Sequence, residues 1–210
     1  MTNTIPPDYK SETKRAYDSY PEKFDEHYGN FFEQHFLPTG VPDAFLVHLS
    51  GKKILDLGSG PGNHALYFKR KGLDVLCVDI SEEMIRLCKE KWLKAEVMDM
   101  ENLTLPEKSF DGVWANTSFL HIPKSRIPTV AADVARILKP SGILHVAVRE
   151  GKEETFEENE KYPGTRRFFS DFQDEEIRSL FGAHFEVLRF LKLKMKTKYT
   201  FLNYLMRLKS

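Results

Sequence analysis

Four short apolar runs punctuate the middle of the chain, at 54–57, 75–78, 112–115 and 143–148, each four to six residues long. Runs this short and this unbroken predict strands covered on both faces. The segments between them carry helical spacing instead. Ile127, Val130, Ala131, Val134, Ile137 and Leu138 recur at intervals of three and four, and Lys139-Pro140-Ser141-Gly142 ends that helix in a turn. Ser81 before Glu82 and Glu83 marks another helix start, a capping hydroxyl followed by acids that complement the helix dipole. Strand alternating with helix predicts a doubly wound α/β fold with a mostly parallel sheet in three layers.

The two ends are patterned differently. From Asp8 to Leu49 the chain is aromatic and helical in period, with Tyr17, Tyr20, Phe24 and Tyr28 three or four apart and a break at Pro21. Residues 1–50 are therefore expected to form a helical lid in front of a domain spanning 51–210. The segment 150–161 holds six glutamates and two lysines and reads as a solvated loop or short helix. From Phe185 onward the pattern has period two: Lys192, Lys194, Lys196 and Lys198 share one face, while Leu191, Leu193 and Met195 share the other. This predicts closing antiparallel strands with a lysine-bearing edge that resists aggregation.

Composition narrows the classes. The 210 residues carry 31 Lys+Arg and 31 Asp+Glu, a formal charge of zero, which argues against a chain whose overall field gathers polyanions. No stretch longer than twelve residues lacks a charged side chain, so no membrane span is expected. The N-terminal residues have no secretory pattern. Cys77 and Cys88 are too few for a disulfide framework, which favours a reducing, cytoplasmic setting. The histidines lack metal-ligand spacing, so no metal is expected.

The sharpest chemical signal is Asp56-Leu57-Gly58-Ser59-Gly60-Pro61-Gly62, placed after a predicted strand and opening a predicted helix. Glycines there let the backbone turn at positive φ and approach a ligand, and the helix behind them offers free N–H groups. Asp79 ends the next strand 21 residues after Gly58, the interval at which a carboxylate accepts from ribose hydroxyls. An adenosine-bearing ligand follows. A dinucleotide fingerprint requires a glycine where this chain has Asn63, and an acid at Asp56 suits an ammonium group better than a diphosphate.

At this point the sequence resembles the class I S-adenosylmethionine-dependent methyltransferases, whose first motif has the form acid-x-G-x-G-x-G. The resemblance implies a Rossmann-like sheet of seven strands, the last antiparallel. It also implies that Asp56, Gly58, Ser59, Gly60 and Gly62 hold the methionine end of S-adenosylmethionine. Asp79 and Ile80 would take the ribose, with Met84 packing nearby, and Asp99 and Met100 the adenine. Asn116 would close the fourth strand facing the methyl group, and Tyr17 and Tyr20 of the lid would reach the cofactor. His121, just past that strand, is the candidate general base, with an ordinary pKa near 6.5 that suits the role. Tyr28, Tyr162, Arg166 and Phe168 are the candidate acceptor contacts, with Arg167 beside them as an alternative cation for an anionic acceptor.

Methyl transfer from a sulfonium is an in-line displacement that depends on alignment and exclusion of water. Absences shape the acceptor. Asn116 is followed by Thr117-Ser118-Phe119 rather than Pro-Pro-aromatic, and neither cysteine follows a proline, so the nucleic-acid enzymes of this fold are not matched. A small organic acceptor is expected, methylated on O, N or C, with S-adenosylhomocysteine as product. Two other readings stay open on the residues alone: an NAD-dependent oxidoreductase, and a catalytically silent cofactor-binding protein.

Overall fold

The structure, a computed structural model, describes residues 8–194 and 198–210. Met195 and Lys196 of the alternating terminal segment lie outside the described residues, as do residues 1–7. The expected break at Pro21 is present: helix α1 (Tyr9–Ser19) ends at Tyr20, and Pro21 starts helix α2 (Pro21–Phe31), where its missing N–H costs nothing. Helix α3 (Val41–His48) completes the N-terminal segment.

The alternating centre follows as strand β1 (Lys53–Leu57), helix α4 (Asn63–Arg70), strand β2 (Asp74–Asp79), helix α5 (Glu82–Glu90) and strand β3 (Lys94–Val97). Strand β4 (Phe110–Asn116), helix α6 (Ile127–Ile137) and strand β5 (Leu138–Arg149) come next. A hairpin of β6 (Glu154–Glu158) and β7 (Arg166–Ser170) leads to helix α7 (Asp174–Phe181) and the closing strands β8 (Phe185–Lys194) and β9 (Thr200–Leu208).

The main sheet has seven strands in the order β3-β2-β1-β4-β5-β9-β8, with β9 antiparallel to both neighbours. The sequence pattern explains its two covers. Leu55, Val113 and Leu144 point to one face and meet Val130 and Val134 of α6 and Phe181 of α7. Their chain neighbours Ile54, Trp114 and Ile143 point to the other and meet Phe45 of α3, Phe68 of α4 and Ile85 of α5. Among the described residues no helix is long and apolar enough to cross a membrane.

One expectation needs correction. The centre of the acidic segment, Glu154–Glu158, is a strand and not a solvated loop or helix: residues of β6 pair with β7 in the register Phe156↔Phe168, Glu157↔Arg167, Glu158↔Arg166. The facing basic strand is what sequence-local reasoning lacked, since cross-strand opposite charges offset the repulsion within the glutamate run. Strand β3 stops at Val97, so Met98, Asp99 and Met100 lie in the segment that follows it.

Trp114 is the largest fully buried side chain. Its ring lies 3.9 Å from the His145 ring in a stacked pose, and its Nε1–H donates to His64 Nδ1 at 2.8 Å. Trp114→Phe strands that imidazole acceptor in the core. We expect a loss of about 1–3 kcal/mol, or a fall in Tm of roughly 3–10 °C for a chain of this size. Thermal denaturation checks it, and an unchanged Tm would mean the indole hydrogen bond contributes nothing net.

Candidate functional site

Strand order reverses at β1: the chain moves outward to β2 and β3, then crosses to β4 and β5 on the other side. Loops leaving β1 and β4 therefore diverge, opening a crevice at the carboxyl ends of the strands. A cavity of about 340 Å³ occupies that crevice.

The glycine turn forms one wall. Gly58 N–H and Ser59 N–H both donate to Val78 O, at 2.8 and 3.0 Å, which ties the turn to the end of β2. Gly58 has φ +71°, and a Cβ there would sit 2.4 Å from the Ser118 Cβ. Gly60, at φ +52°, has nothing within 4 Å of where a Cβ would be: that space faces the cavity. Asp79 fastens the loop, its two oxygens accepting from Gly60 N–H at 2.9 Å and Ser81 N–H at 3.0 Å.

Asp56, 2% exposed, reaches the same wall with Oδ2 buried and unpartnered. Burial, reinforced by the neighbouring Asp79 carboxylate, pushes it up to about 8. Asp99 closes the far end: Oδ1 accepts from Glu101 N–H at 2.9 Å, and Oδ2 pairs with Lys10 Nζ of α1 at 2.6 Å.

Beyond β4 the wall is made by the lid and the hairpin. The Tyr17 hydroxyl lies 2.8 Å from His121 Nε2, and His121 Nδ1 lies 2.7 Å from the Phe168 carbonyl. A carbonyl can only accept, so Nδ1 carries the proton and Nε2 accepts from the phenol. Burial and the nearby Arg167 charge hold the imidazole down at about 3, so it stays neutral. Arg167 Nη1 donates to the hydroxyls of Tyr17 and Tyr28, each at 3.1 Å.

Most sequence-derived candidates converge here. Tyr17, Asp56, Gly58, Ser59, Gly60, Asp79, Ile80, Asp99, Met100, Asn116 and His121 line the cavity, with Tyr28. Six do not. The Tyr20 hydroxyl donates to Pro163 O outside the cavity. Met84 is buried within α5, and Tyr162 stacks on Phe24 at 4.0 Å. Gly62 packs toward Leu93 and Cys88. Phe168 contributes its carbonyl while its ring sits in the core. Arg166 pairs with Asp8 and Glu12 on the outside of the hairpin; strand alternation sends the next residue, Arg167, inward instead. Sequence reasoning also missed Lys10, Thr13, His64, Arg149 and Glu157, which line the cavity. Among the described residues no cluster of His, Cys, Asp or Glu could hold a metal ion.

A family model described as a methyltransferase domain matches residues 54–142. The chain is 38% identical over 102 residues to the sarcosine/dimethylglycine N-methyltransferase of Aphanothece halophytica, covering 44% of this chain and 36% of that one. It is 31% identical to the putative methyltransferase YqeM of Bacillus subtilis, covering 60% and 51%. It spans about half or less of the length of these curated relatives. Among solved structures, Burkholderia thailandensis 1,6-didemethyltoxoflavin-N1-methyltransferase superposes with a TM-score of 0.78 at 20% identity, covering 100% of this chain and 93% of that one.

The buried Asp56 carries a pH signature. Unfolded, it ionises near 3.8; folded, it keeps its proton to about 8, so between those values the native state binds the extra proton and stability falls as pH rises. Relative to Asp56→Asn, the protein should lose more than ~1 kcal/mol between pH 5 and pH 8.5. Urea denaturation at the two pH values measures it; parallel profiles for the two proteins would refute it.

Proposed function

From the premise that this chain belongs to the class I S-adenosylmethionine-dependent methyltransferases, we propose that it moves a methyl group from that cofactor to an O, N or C atom of a small organic acceptor. The observation that carries the reading is the convergence of a positive-φ glycine turn, the Asp79 carboxylate and an unpartnered buried Asp56 on one cavity wall. This donor and acceptor set fits the cofactor. Asp56 Oδ2 awaits a cationic donor and suits the amino group, and free lone pairs on Asp79 suit the ribose. Asp99 and the Met100 backbone suit the adenine, and Gly60 leaves room that a Cβ would fill. When bound, S-adenosylmethionine supplies a methyl group on a sulfonium, whose departure leaves a neutral thioether.

The rest of the work falls to the chain. Residues 8–50 act as a lid: Lys91 Nζ donates to Pro61 O at 2.7 Å and pairs with Asp25 of α2, fastening the lid to the glycine turn. Tyr17, Tyr28 and Phe169 exclude water from the cavity half beyond β4, where an acceptor enters. The base role expected for His121 meets an obstacle. Its Nε2 is taken by Tyr17, and burial beside Arg167 opposes charging the ring. We therefore assign His121 to positioning the Tyr17 hydroxyl. Two buried free thiols, Cys77 and Cys88, support a cytoplasmic setting.

Calorimetry with S-adenosylhomocysteine, S-adenosylmethionine and NAD tests the cofactor. We expect both sulfur ligands to bind and NAD not to, with Asp79→Ala weakening binding about ten- to hundredfold. Gly60→Ala should cost only about 1–2 kcal/mol of stability yet block the site. Tight NAD binding without S-adenosylhomocysteine binding overturns the proposal, and labelled-methyl release across a metabolite panel separates an enzyme from a silent binder. If His121 works through Tyr17, then on an identified acceptor His121→Ala and Tyr17→Phe lower kcat by similar factors and the double variant by no more. Additive losses would return the histidine to an independent role.

A further inference from the structure

Two arginines line the cavity, and the chain treats them differently. Arg149, 3% exposed, is fully matched. Its Nε donates to Asp171 at 2.6 Å, its Nη1 and Nη2 donate to the two oxygens of Glu157 at 3.1 and 2.8 Å, and its guanidinium lies over Phe169 and Tyr199. Arg167 is not matched. Its Nη1 meets two neutral phenols, and no carboxylate among the described residues lies within ion-pairing distance of it. The acid directly across the hairpin, Glu157, has both oxygens engaged by Arg149, and Oε2 also accepts from Tyr199.

Aromatic rings enclose this cation. Its guanidinium carbon lies 5.1 to 5.7 Å from the centroids of Phe169, Phe24, Tyr17 and Tyr162. Ring faces recover part of the cost of desolvating a charge, not all of it. The position is informative too. Arg167 stands on β7, in the cover that follows β5, and shares Phe169 with Arg149 at the end of β5. The glycine turn, Asp79 and Asp99 belong to β1, β2 and the loop after β3, on the other side of the strand-order reversal.

We propose that Arg167 is the anion anchor of the acceptor subsite, so that the acceptor is a ring-bearing small molecule carrying a carboxylate or comparable oxyanion. This rests on the division of the cavity into a cofactor half and an acceptor half made above. Arg167 Nη2 and Nε have no partner among the described residues, and they offer the paired donors that a carboxylate accepts side by side. Of these rings, Tyr17 and Phe169 line the cavity and supply flat apolar contact for the body of such a molecule. His27, which also lines the cavity, adds no negative charge, and the charges beside it are Lys161 and Arg167 itself. An anion entering here neutralises a cation already buried, while a cation or neutral amide leaves it unmatched.

The test pairs probes that differ only in charge. Benzoate, salicylate and 1-naphthoate are titrated calorimetrically against their amides, into the full chain saturated with S-adenosylhomocysteine, for the wild type, Arg167→Met and Arg167→Lys. The expected result is at least tenfold tighter binding of the carboxylates by the wild type. The preference should drop below threefold in Arg167→Met and be kept in part by Arg167→Lys, with S-adenosylhomocysteine affinity changed less than threefold in both. Equal binding of acids and amides by the wild type, or binding of neither, overturns the anchor. A tenfold loss of S-adenosylhomocysteine affinity in Arg167→Met, absent with the decarboxylated analogue, assigns the anion to the cofactor's own carboxylate and overturns the acceptor assignment. Failure of the wild type to bind S-adenosylhomocysteine at all refutes the cofactor reading instead, and is read before any acid is added.

Discussion

Everything in this molecule depends on the reversal of strand order at β1. With β2 and β3 on one side and β4 and β5 on the other, the loops leaving β1 and β4 part from each other instead of packing together. The backbone at the end of β1 must then turn without side chains in the way, because Gly58 already abuts Ser118 from the β4 side. Asp79 completes the arrangement from β2 by accepting the Gly60 N–H. A turn, a carboxylate and a crevice thus arise from one topological fact.

The charges around that crevice are arranged unevenly. On the surface, ion pairs such as Arg86 with Glu83 and Glu90 lie in water and contribute little each. Inside, Arg149 is satisfied by two carboxylates, Arg167 by phenols and ring faces alone, and Asp56 keeps one oxygen without a partner. Buried charges left partly unmatched cost stability, and proteins keep such costs where a ligand repays them. One of these groups is anionic when ionised and lies on the β1 side; the other is cationic and lies over the β5 side.

The lid and the hairpin make the second half of the site from residues that are remote in sequence. Tyr17, His121, Phe168 and Arg167 form one hydrogen-bonded chain from α1, the loop after β4 and β7. Its chemistry differs from that of its members alone: an exposed histidine would titrate near neutrality, whereas this one is neutral, enclosed and committed to two partners. The network reads as a scaffold that sets the Tyr17 hydroxyl rather than as a free base.

The sequence by itself determined the four central strands, the alternation of strand and helix, the glycine turn and the acids at strand ends, because those signals are local: period, turn chemistry and fixed spacing along one segment. Only the tertiary structure decided the far wall of the cavity. Which of Arg166 and Arg167 lines the cavity depends on which face of β7 the packing turns toward it, and whether the glutamate run is loop or strand depends on a basic partner strand eight or more residues away. Likewise, the state of His121 follows from burial and from neighbours contributed by distant segments. Those properties belong to the packed chain, because desolvation and hydrogen-bond partners exist only after the elements have come together.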